Sequence, residues 1–214
     1  MIEVGPGNDK IIQAHHIYKT FPGVKALSDV SFDLHQGEIH CIVGENGAGK
    51  STFIKILTGS LRPDSGELII HGKSYKHLTP YLSQTLGIQV IYQENILVPQ
   101  MTVAENIFVG REKASRFGLI RYRETVQATQ KIIESLKIHL DPEAPVEKLS
   151  PAEQQFVKIV KSLAYEPQVL IMDEPTAMFN INDVAMVLNL VKDISQRGIS
   201  VIYISHRLEE ISEI

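Results

Sequence analysis

The sequence has almost no cysteine and no long hydrophobic run. Its 214 residues include one cysteine, Cys41, which cannot form a disulfide within the chain and which fits a reducing compartment. No segment approaches the roughly 18 consecutive apolar residues of a membrane-spanning helix, and the first ten residues lack the hydrophobic run of a secretory signal. We therefore expect any role at a membrane to depend on a partner protein.

An excess of positive charge is also absent. The formal net charge is −4 at pH 7, so the chain offers no basic footprint for a nucleic acid and no polybasic arm for a membrane surface. We therefore expect no nucleic-acid partner. With 43% hydrophobic and 21% charged residues, the composition is that of an ordinary globular protein that can bury a core.

The most informative segment is a glycine-rich stretch. Residues 44–52, with the sequence GENGAGKST, fit the pattern G-x-x-x-x-G-K-[ST]. A buried strand is predicted over 38–43 and a helix from Thr52, which is the strand–loop–helix context of a phosphate-binding loop. Glycines let the backbone approach a polyphosphate, N–H groups and the positive helix end face its oxygens, and Lys50 adds a mobile charge. The predicted binding residues are Gly44, Asn46, Gly47, Ala48, Gly49, Lys50, Ser51 and Thr52, with Ser51 as a ligand of Mg²⁺.

Apolar runs along the chain predict an α/β fold. Buried strands are predicted over 38–43, 88–92, 169–172 and 200–204, and helical patterns separate the later ones, which is typical of a parallel sheet. Residues 11–34 instead alternate short apolar runs with turn residues, and a strand is predicted over 66–72 after a turn. We therefore predict a P-loop NTPase core with a parallel sheet and a small antiparallel β layer.

The interval between the second and third buried strands has helical patterns. The sequences TVAE at 102–105 and SPAE at 150–153 both fit the capping box that begins a helix. We predict an inserted helical subdomain over 94–165, which divides the ATP-binding core into a first part over 1–93 and a second part over 166–214.

Two acidic residues end the predicted strand at 169–172. An isolated Asp-Glu pair is usually a surface feature, but an apolar run before it and a phosphate-binding loop upstream favour the Walker B pattern. Asp173 is then predicted to orient Mg²⁺ through a water, and Glu174 to polarise the attacking water.

Two further polar residues follow predicted strands. His206 comes after the strand at 200–204, where we predict a contact with the γ-phosphate, although such a histidine on its own is more often a surface or structural one. Gln93 ends the strand at 88–92 and can ligate a metal or its water through the amide oxygen. The predicted metal ligands are Ser51, Gln93 and Asp173.

The order of these motifs resembles that of ATP-binding-cassette (ABC) ATPases. An aromatic residue, Phe21, precedes Walker A at 44–51, and Gln93, a serine-led signature at 149–153, Walker B and His206 follow, so that the resemblance covers nearly the whole chain. In a narrower comparison, the segments that resemble the first half of the tandem ATPases of monosaccharide importers are 21–27, 44–52, 101–112 and 204–211.

The resemblance implies an ATPase that binds ATP and Mg²⁺, with Lys50, Glu174 and His206 as catalytic residues and Phe21 stacked on adenine. For Phe21 the sequence alone leaves open a place in the core. The implied partners are a second ATPase half, membrane permease subunits that contact the helical subdomain near Gln93, and indirectly a sugar-binding protein. The implied location is peripheral, on the cytoplasmic face of the membrane. We further expect a fragment that binds Mg-ATP and hydrolyses it slowly by itself.

The signature departs from the usual Leu-Ser-Gly-Gly-Gln. After Ser150, Ala152 adds a Cβ and Glu153 a negative charge where the family presents a helix end to ATP bound by the opposite half. Both changes predict weak binding at that facing site. Alternatively, Ser150 to Glu153 form a favourable capping box with Pro151 in the first helical position, and the two interpretations can coexist. Asn180 stands where the family usually has an aspartate that couples the two sites.

Two other functions share these residues. A soluble ABC ATPase that acts on ribosomes or DNA would share the same catalytic residues. The net negative charge of the chain and the importer-like segment 101–112 count against this function. A nucleotide-gated binding module with little hydrolysis is favoured by the altered signature, whereas an intact Glu174 counts against it.

Overall fold

A computed structural model describes residues 10–45, 47–92, 97–112, 121–177, 179 and 181–214. Within these residues the strands are β1 (Lys10–Phe21), β2 (Val24–His35), β3 (Ile39–Val43), β4 (Ser65–Ile70), β5 (Lys73–Tyr75), β6 (Ile88–Ile91), β7 (Val169–Asp173) and β8 (Ser200–Ser205). The helices are α1 (Lys50–Leu57), α2 (Pro80–Thr85), α3 (Val103–Phe108), α4 (Tyr122–Ser135), α5 (Pro151–Leu163), α6 (Ile181–Gln196) and α7 (Leu208–Glu213), and a short 3-10 helix spans Val146–Lys148.

Four strands form the predicted parallel sheet, in the order β3-β8-β7-β6. The strand that leads to His206, β8, therefore lies between the strand of the phosphate-binding loop and the strand that ends in Asp173. Val43 pairs with Ser205, and Asp173 pairs with Ile204. Because all four strands run in the same direction, these residues meet at one edge of the sheet, where α/β proteins usually bind ligands.

The parallel strands are buried on both faces. In β7, Leu170 and Met172 belong to a hydrophobic cluster with the helices that follow β6, whereas Val169 and Ile171 belong to a second cluster with α1 and the antiparallel sheet. Successive side chains of a strand point to opposite faces. Two covered faces explain why this strand is a continuous apolar run and does not alternate.

The predicted antiparallel layer is confirmed as a second sheet, with the order β2-β1-β4-β5. Its longest pair, β1 and β2, closes at a tight hairpin in which Phe21 pairs with Val24 across Pro22 and Gly23. This hairpin brings Phe21 to the cavity that the phosphate-binding loop also lines.

Both predicted capping boxes are present. The Thr102 and Ser150 side chains each accept a hydrogen bond from the backbone of the third helical residue, whose glutamate side chain accepts one from the capping residue. Each cap of this kind stabilises a helix start by about 1 kcal/mol. Helices α3, α4 and α5 lie between β6 and β7, and the exact limits of the helical subdomain stay a prediction. In the described part of the chain, no helix has the length and apolar character needed to cross a bilayer.

Cys41 lies in β3 and packs, partly buried, against the first hydrophobic cluster. Burial raises the pKa of its thiol, which lowers the fraction of reactive thiolate at neutral pH. Cys41 therefore acts as a small, partly buried side chain of the core and not as a reactive thiol.

Candidate functional site

The phosphate-binding loop joins the carboxyl end of β3 to the first residue of α1. Gly49 immediately precedes the helix with φ of 89°, a left-handed conformation that glycine adopts without a steric penalty. A Cβ at this position would lie 2.4 Å from the backbone oxygen of Ala26. The loop and the β1–β2 hairpin are therefore in contact, and only glycine allows this close approach.

The start of α1 is suited to an anion. Gly49 supplies no side-chain cap, and the first N–H groups of any helix lack intrahelical partners. The N–H groups of Lys50, Ser51 and Thr52 therefore carry the partial positive charge of the helix end. The Lys50 ammonium folds back over the loop and donates to the carbonyl oxygens of Gly44 and Glu45, the second at 2.9 Å.

An open cavity of about 600 Å³ unites several of the predicted site residues. Its size is within the usual range for small-molecule and cofactor sites. Its walls come from the hairpin, the loop with the first turn of α1, and the end of β7. The lining residues are Phe21, Val24, Ala26, Gly47, Ala48, Gly49, Lys50, Ser51, Thr52, Asp173 and Glu174.

The hairpin gives this cavity an apolar rim. Phe21 is 40% exposed and Val24 is 58% exposed, so the alternative that Phe21 is a core aromatic is wrong. Exposed apolar side chains at the edge of a polar cavity offer a surface on which a planar ring can stack. Lys19 Nζ also lies 5.7 Å from the centre of the Phe21 ring.

The acidic pair, Asp173 and Glu174, lines the same cavity as the loop. Burial raises the pKa of the Asp173 carboxyl, and the neighbouring Glu174 carboxylate raises it further, whereas the charges of Lys50 and Lys55 lower it. A carboxylate that is costly to ionise in the free protein gains when a cation binds beside it. The position of Asp173 therefore fits a cation site.

Glu174 has an unusual backbone. Its φ of 49° is in the left-handed region, which a residue with a side chain adopts at a cost and which recurs at functional sites. Its N–H donates to the Ile204 oxygen at 3.0 Å, so that strand β8 holds the backbone just beyond the end of β7.

Glu174 and His206 are in direct contact. His206 Nδ1 lies 3.2 Å from Glu174 Oε1, and the two side chains are 51% and 15% exposed respectively. The structure thus brings together the two side chains predicted to act at the γ-phosphate. A histidine that is half exposed and bonded to a sheltered carboxylate can hold the carboxylate in one orientation while its other nitrogen faces a ligand.

The donor set at this edge fits Mg²⁺. Ser51 and Asp173 line the same cavity, and hydroxyl and carboxylate oxygens are ligands of this ion. Among the residues described, no three His, Cys, Asp or Glu side chains cluster as a metal site. Phosphate oxygens and water are the usual remaining ligands of Mg²⁺ at nucleotide sites. Gln93 and Asn46, also predicted to bind, lie outside the described residues.

The signature residues lie elsewhere. Ser150, Ala152 and Glu153 are not part of the cavity lining and form the start of α5. Glu153 Oε2 accepts hydrogen bonds from the Ser150 N–H at 2.8 Å and from the Ser150 hydroxyl at 2.7 Å. The carboxylate is therefore engaged in its own capping box, as the second interpretation of this segment predicts. Asn180 lies outside the described residues.

Two cavity residues were not predicted from the sequence. Val24 and Ala26 line the cavity from β2, and Ala26 lies directly against Gly49 of the loop. The turn at Pro22-Gly23 could have indicated Val24, because it reverses the chain and places Val24 beside Phe21.

Comparison with known proteins agrees with this geometry. The family model for "ABC transporter" matches residues 27–177. A solved ATP-binding cassette of an ABC transporter in its ADP conformation superimposes with a TM-score of 0.85 and 28% sequence identity, over 96% of this chain and 85% of that one. The predicted P-loop NTPase fold is thereby confirmed.

Two curated relatives cover nearly the whole chain. A putative ribose/galactose/methyl galactoside import ATP-binding protein of Rhizobium meliloti is 44% identical over 209 residues, which are 98% of this chain and 41% of the relative. A ribose import ATP-binding protein of Hahella chejuensis is 41% identical over 206 residues, 96% of this chain and 41% of that protein. The chain thus spans about two fifths of the length of these relatives.

Proposed function

Because the chain belongs to the ABC transporter family, as its motifs predict, we propose that it binds and hydrolyses ATP to energise the import of a monosaccharide such as ribose or galactose. The relatives named above are import ATP-binding proteins for these sugars. The observation that carries the proposal is that an aromatic residue, a phosphate-binding loop and an acidic pair line one cavity.

In this proposal the hairpin and the loop hold the nucleotide. Phe21 and Val24 contact the adenine ring on the apolar rim, while the N–H groups at the start of α1 and the Lys50 ammonium bind the β- and γ-phosphates. To reach them, Lys50 exchanges its hydrogen bonds with Gly44 and Glu45 for phosphate oxygens. Mg²⁺, held by Ser51 and Asp173 and also by Gln93, would neutralise charge on the phosphates.

The acidic pair and the histidine carry the reaction. Glu174 orients the attacking water and accepts its proton, and its sheltered side chain favours one fixed position. His206 keeps this carboxylate in place through Nδ1 and contacts the γ-phosphate. Charge develops on the phosphate as the bond breaks, and Lys50 with the helix end is already positioned to stabilise it.

The start of α5 belongs, in this proposal, to a second site. Ser150, Ala152 and Glu153 face ATP bound by a second ATPase half, and the altered residues make that facing site the weaker one. Glu153 keeps its negative charge even though its oxygens serve the capping box. A charge at that helix end opposes the binding of a phosphate.

Restoring the usual signature residues tests this asymmetry. In a protein that holds both ATPase halves, the double change Ala152→Gly and Glu153→Gln should raise nucleotide affinity at the facing site by about threefold to tenfold. Glutamine keeps the capping box, so the helix start survives. The matched control is Glu105→Gln, which makes the same change in the capping box of α3 and should leave affinity unchanged. Equal affinities in the double variant and the control would contradict the asymmetry.

The proposed partners are a permease and a second ATPase half. Closure of two ATPase halves on ATP would move the helical subdomain over 94–165, with its contact to the permease near Gln93, as a rigid body. A sugar-binding protein delivers the substrate on the other side of the membrane, and the chain is peripheral on the cytoplasmic face. The net negative charge of the chain favours a role in transport over an ATPase that acts on ribosomes or DNA.

Isolation from membranes tests the transport function. The protein is recovered from detergent-solubilised membranes of cells that express it natively, and the proteins that come with it are identified by mass spectrometry. We expect a polytopic permease in stoichiometric amount. Ribosomal proteins or nucleic acid in its place, with no permease, would contradict the proposal and favour the soluble ABC ATPase.

A further inference from the structure

Beyond the cavity, α7 places a glutamate in the interior. Glu210 is 3% exposed, although glutamate is seldom buried unless its oxygens have partners. Its neighbours on the same helix, Glu209 and Glu213, are exposed. Of the three glutamates on this short helix, Glu210 is therefore the buried one.

Three hydroxyl groups converge on Glu210. Oε1 accepts a hydrogen bond from the Thr176 hydroxyl at 2.6 Å, and Oε2 accepts from the Ser205 hydroxyl at 2.8 Å and from the Tyr203 hydroxyl at 3.0 Å. The Arg207 guanidinium lies 3.5 Å from Oε1. Hydrogen bonds to a charged acceptor are about twice as strong as neutral ones, so this cluster resists deformation.

The donors come from the two chain segments that carry the catalytic pair. Thr176 is two residues after Glu174, and Ser205 immediately precedes His206. The Ser205 hydroxyl also accepts a hydrogen bond from the Arg207 N–H at 3.0 Å. Through one carboxylate, the turn after β7 and the last residue of β8 are therefore tied together next to Glu174 and His206.

That contact needs an external restraint. The Glu174 backbone is in the left-handed region, and the His206 side chain is half exposed and gains little from packing. Burial of the Tyr203 phenol raises its pKa, so its hydroxyl stays protonated and continues to donate to Glu210 throughout the physiological range.

We propose that Glu210 is a positioning residue that fixes the distance between Glu174 and His206 by holding Thr176 and Ser205 together. Its effect on turnover rests on the proposed function, since it acts through a pair assigned to ATP hydrolysis. A simpler role, in which Glu210 only anchors α7, predicts lower stability but no specific effect on His206.

A spectroscopic test separates the two roles without requiring hydrolysis. Long-range ¹H–¹⁵N NMR spectra of the imidazole groups are recorded for the unsubstituted protein and for Glu210→Gln, with the His206 signals identified by their loss in His206→Ala. We expect these signals to shift in Glu210→Gln and to stay in place in Glu209→Gln, the matched control on the exposed face. Ser205→Ala, which removes one hydroxyl, is the milder variant if Glu210→Gln does not fold. Unchanged His206 signals in a folded variant would overturn the proposal.

A kinetic test then measures the consequence. We expect Glu210→Gln to lower kcat for ATP about tenfold and to change KM less than twofold, because no group that binds nucleotide is altered. In the His206→Ala background the same change should have no further effect on kcat. Equal losses in both backgrounds would overturn the positioning role. These rates are measured in a protein that holds both ATPase halves. If that protein, unsubstituted, does not hydrolyse ATP, the proposed function fails, while the NMR result still decides the role of Glu210.

Discussion

Replacing Glu174 with glutamine is expected to lower ATP hydrolysis by about a hundredfold to a thousandfold while ATP still binds. In the unsubstituted protein, His206 Nδ1 lies 3.2 Å from Glu174 Oε1. The glutamine amide has nearly the same size and can still contact His206, but it cannot accept a proton from water. The residues proposed to hold the nucleotide, Phe21, Lys50 and Ser51, are unchanged. Phosphate release and the affinity for Mg-ATP are measured on the same preparation.

The control for Glu174→Gln is Glu209→Gln, an exposed glutamate on α7 that does not line the cavity of the phosphate-binding loop. It should reproduce the hydrolysis rate of the unsubstituted protein. If Glu174→Gln changes neither hydrolysis nor the lifetime of bound ATP, the chain is a binding module that does not hydrolyse ATP. If Glu174→Gln abolishes binding as well, Glu174 holds the nucleotide and does not act on water.

Replacing Gly49 with alanine is expected to lower the affinity for ATP at least tenfold. The new Cβ would lie 2.4 Å from the backbone oxygen of Ala26 and 2.9 Å from Leu27 Cδ2, and a backbone carbonyl within a strand cannot move aside freely. A side chain at φ of 89° is strained as well. We expect the free energy of unfolding to fall by about 2 to 4 kcal/mol from strain and overpacking together, and the loop to lose its contact with the hairpin.

Gly72→Ala separates strain from steric overlap. Gly72 has φ of 74°, and no heavy atom lies within 4 Å of its ideal Cβ position. It should therefore show only the cost of the left-handed backbone, about 1 kcal/mol, with no change in ATP affinity. Equal losses of stability and of affinity in the two variants would show that the close approach of Ala26 to Gly49 is not what shapes the loop.

The sequence predicted the local parts of the site well, because local patterns determine them. A strand, a glycine-rich loop and a helix in succession predict where Lys50 and Ser51 lie, and an apolar run before two acids predicts the edge position of Asp173. The capping boxes at Thr102 and Ser150 were predicted from side chains three residues apart, and both are present.

Strand order and exposure could not be predicted in the same way. Hydrophobic periodicity indicates which face of a strand is buried but not which strand lies next to it. The position of β8 between β3 and β7 is therefore known only from the structure. Likewise, the exposure of Phe21 depends on how far the β1–β2 hairpin extends past the loop, which is a property of the packed sheets.

The burial of Glu210 could not be predicted from the sequence. The segment 208–213 contains three glutamates, which composition alone assigns to a solvated face. Burial of the middle one depends on Thr176, Tyr203 and Ser205, which reach it from two other segments of the chain. No spacing rule connects residues that far apart, so only the fold could reveal the cluster.

Binding of ATP to the cavity beside Gly49 is the central claim, and calorimetric titration of the unsubstituted protein with ATP, with and without Mg²⁺, tests it most directly. We predict saturable binding at one site, tighter with Mg²⁺ and weakened in Gly49→Ala. No saturable heat at millimolar ATP in either condition, from a protein shown to be folded, would contradict the account.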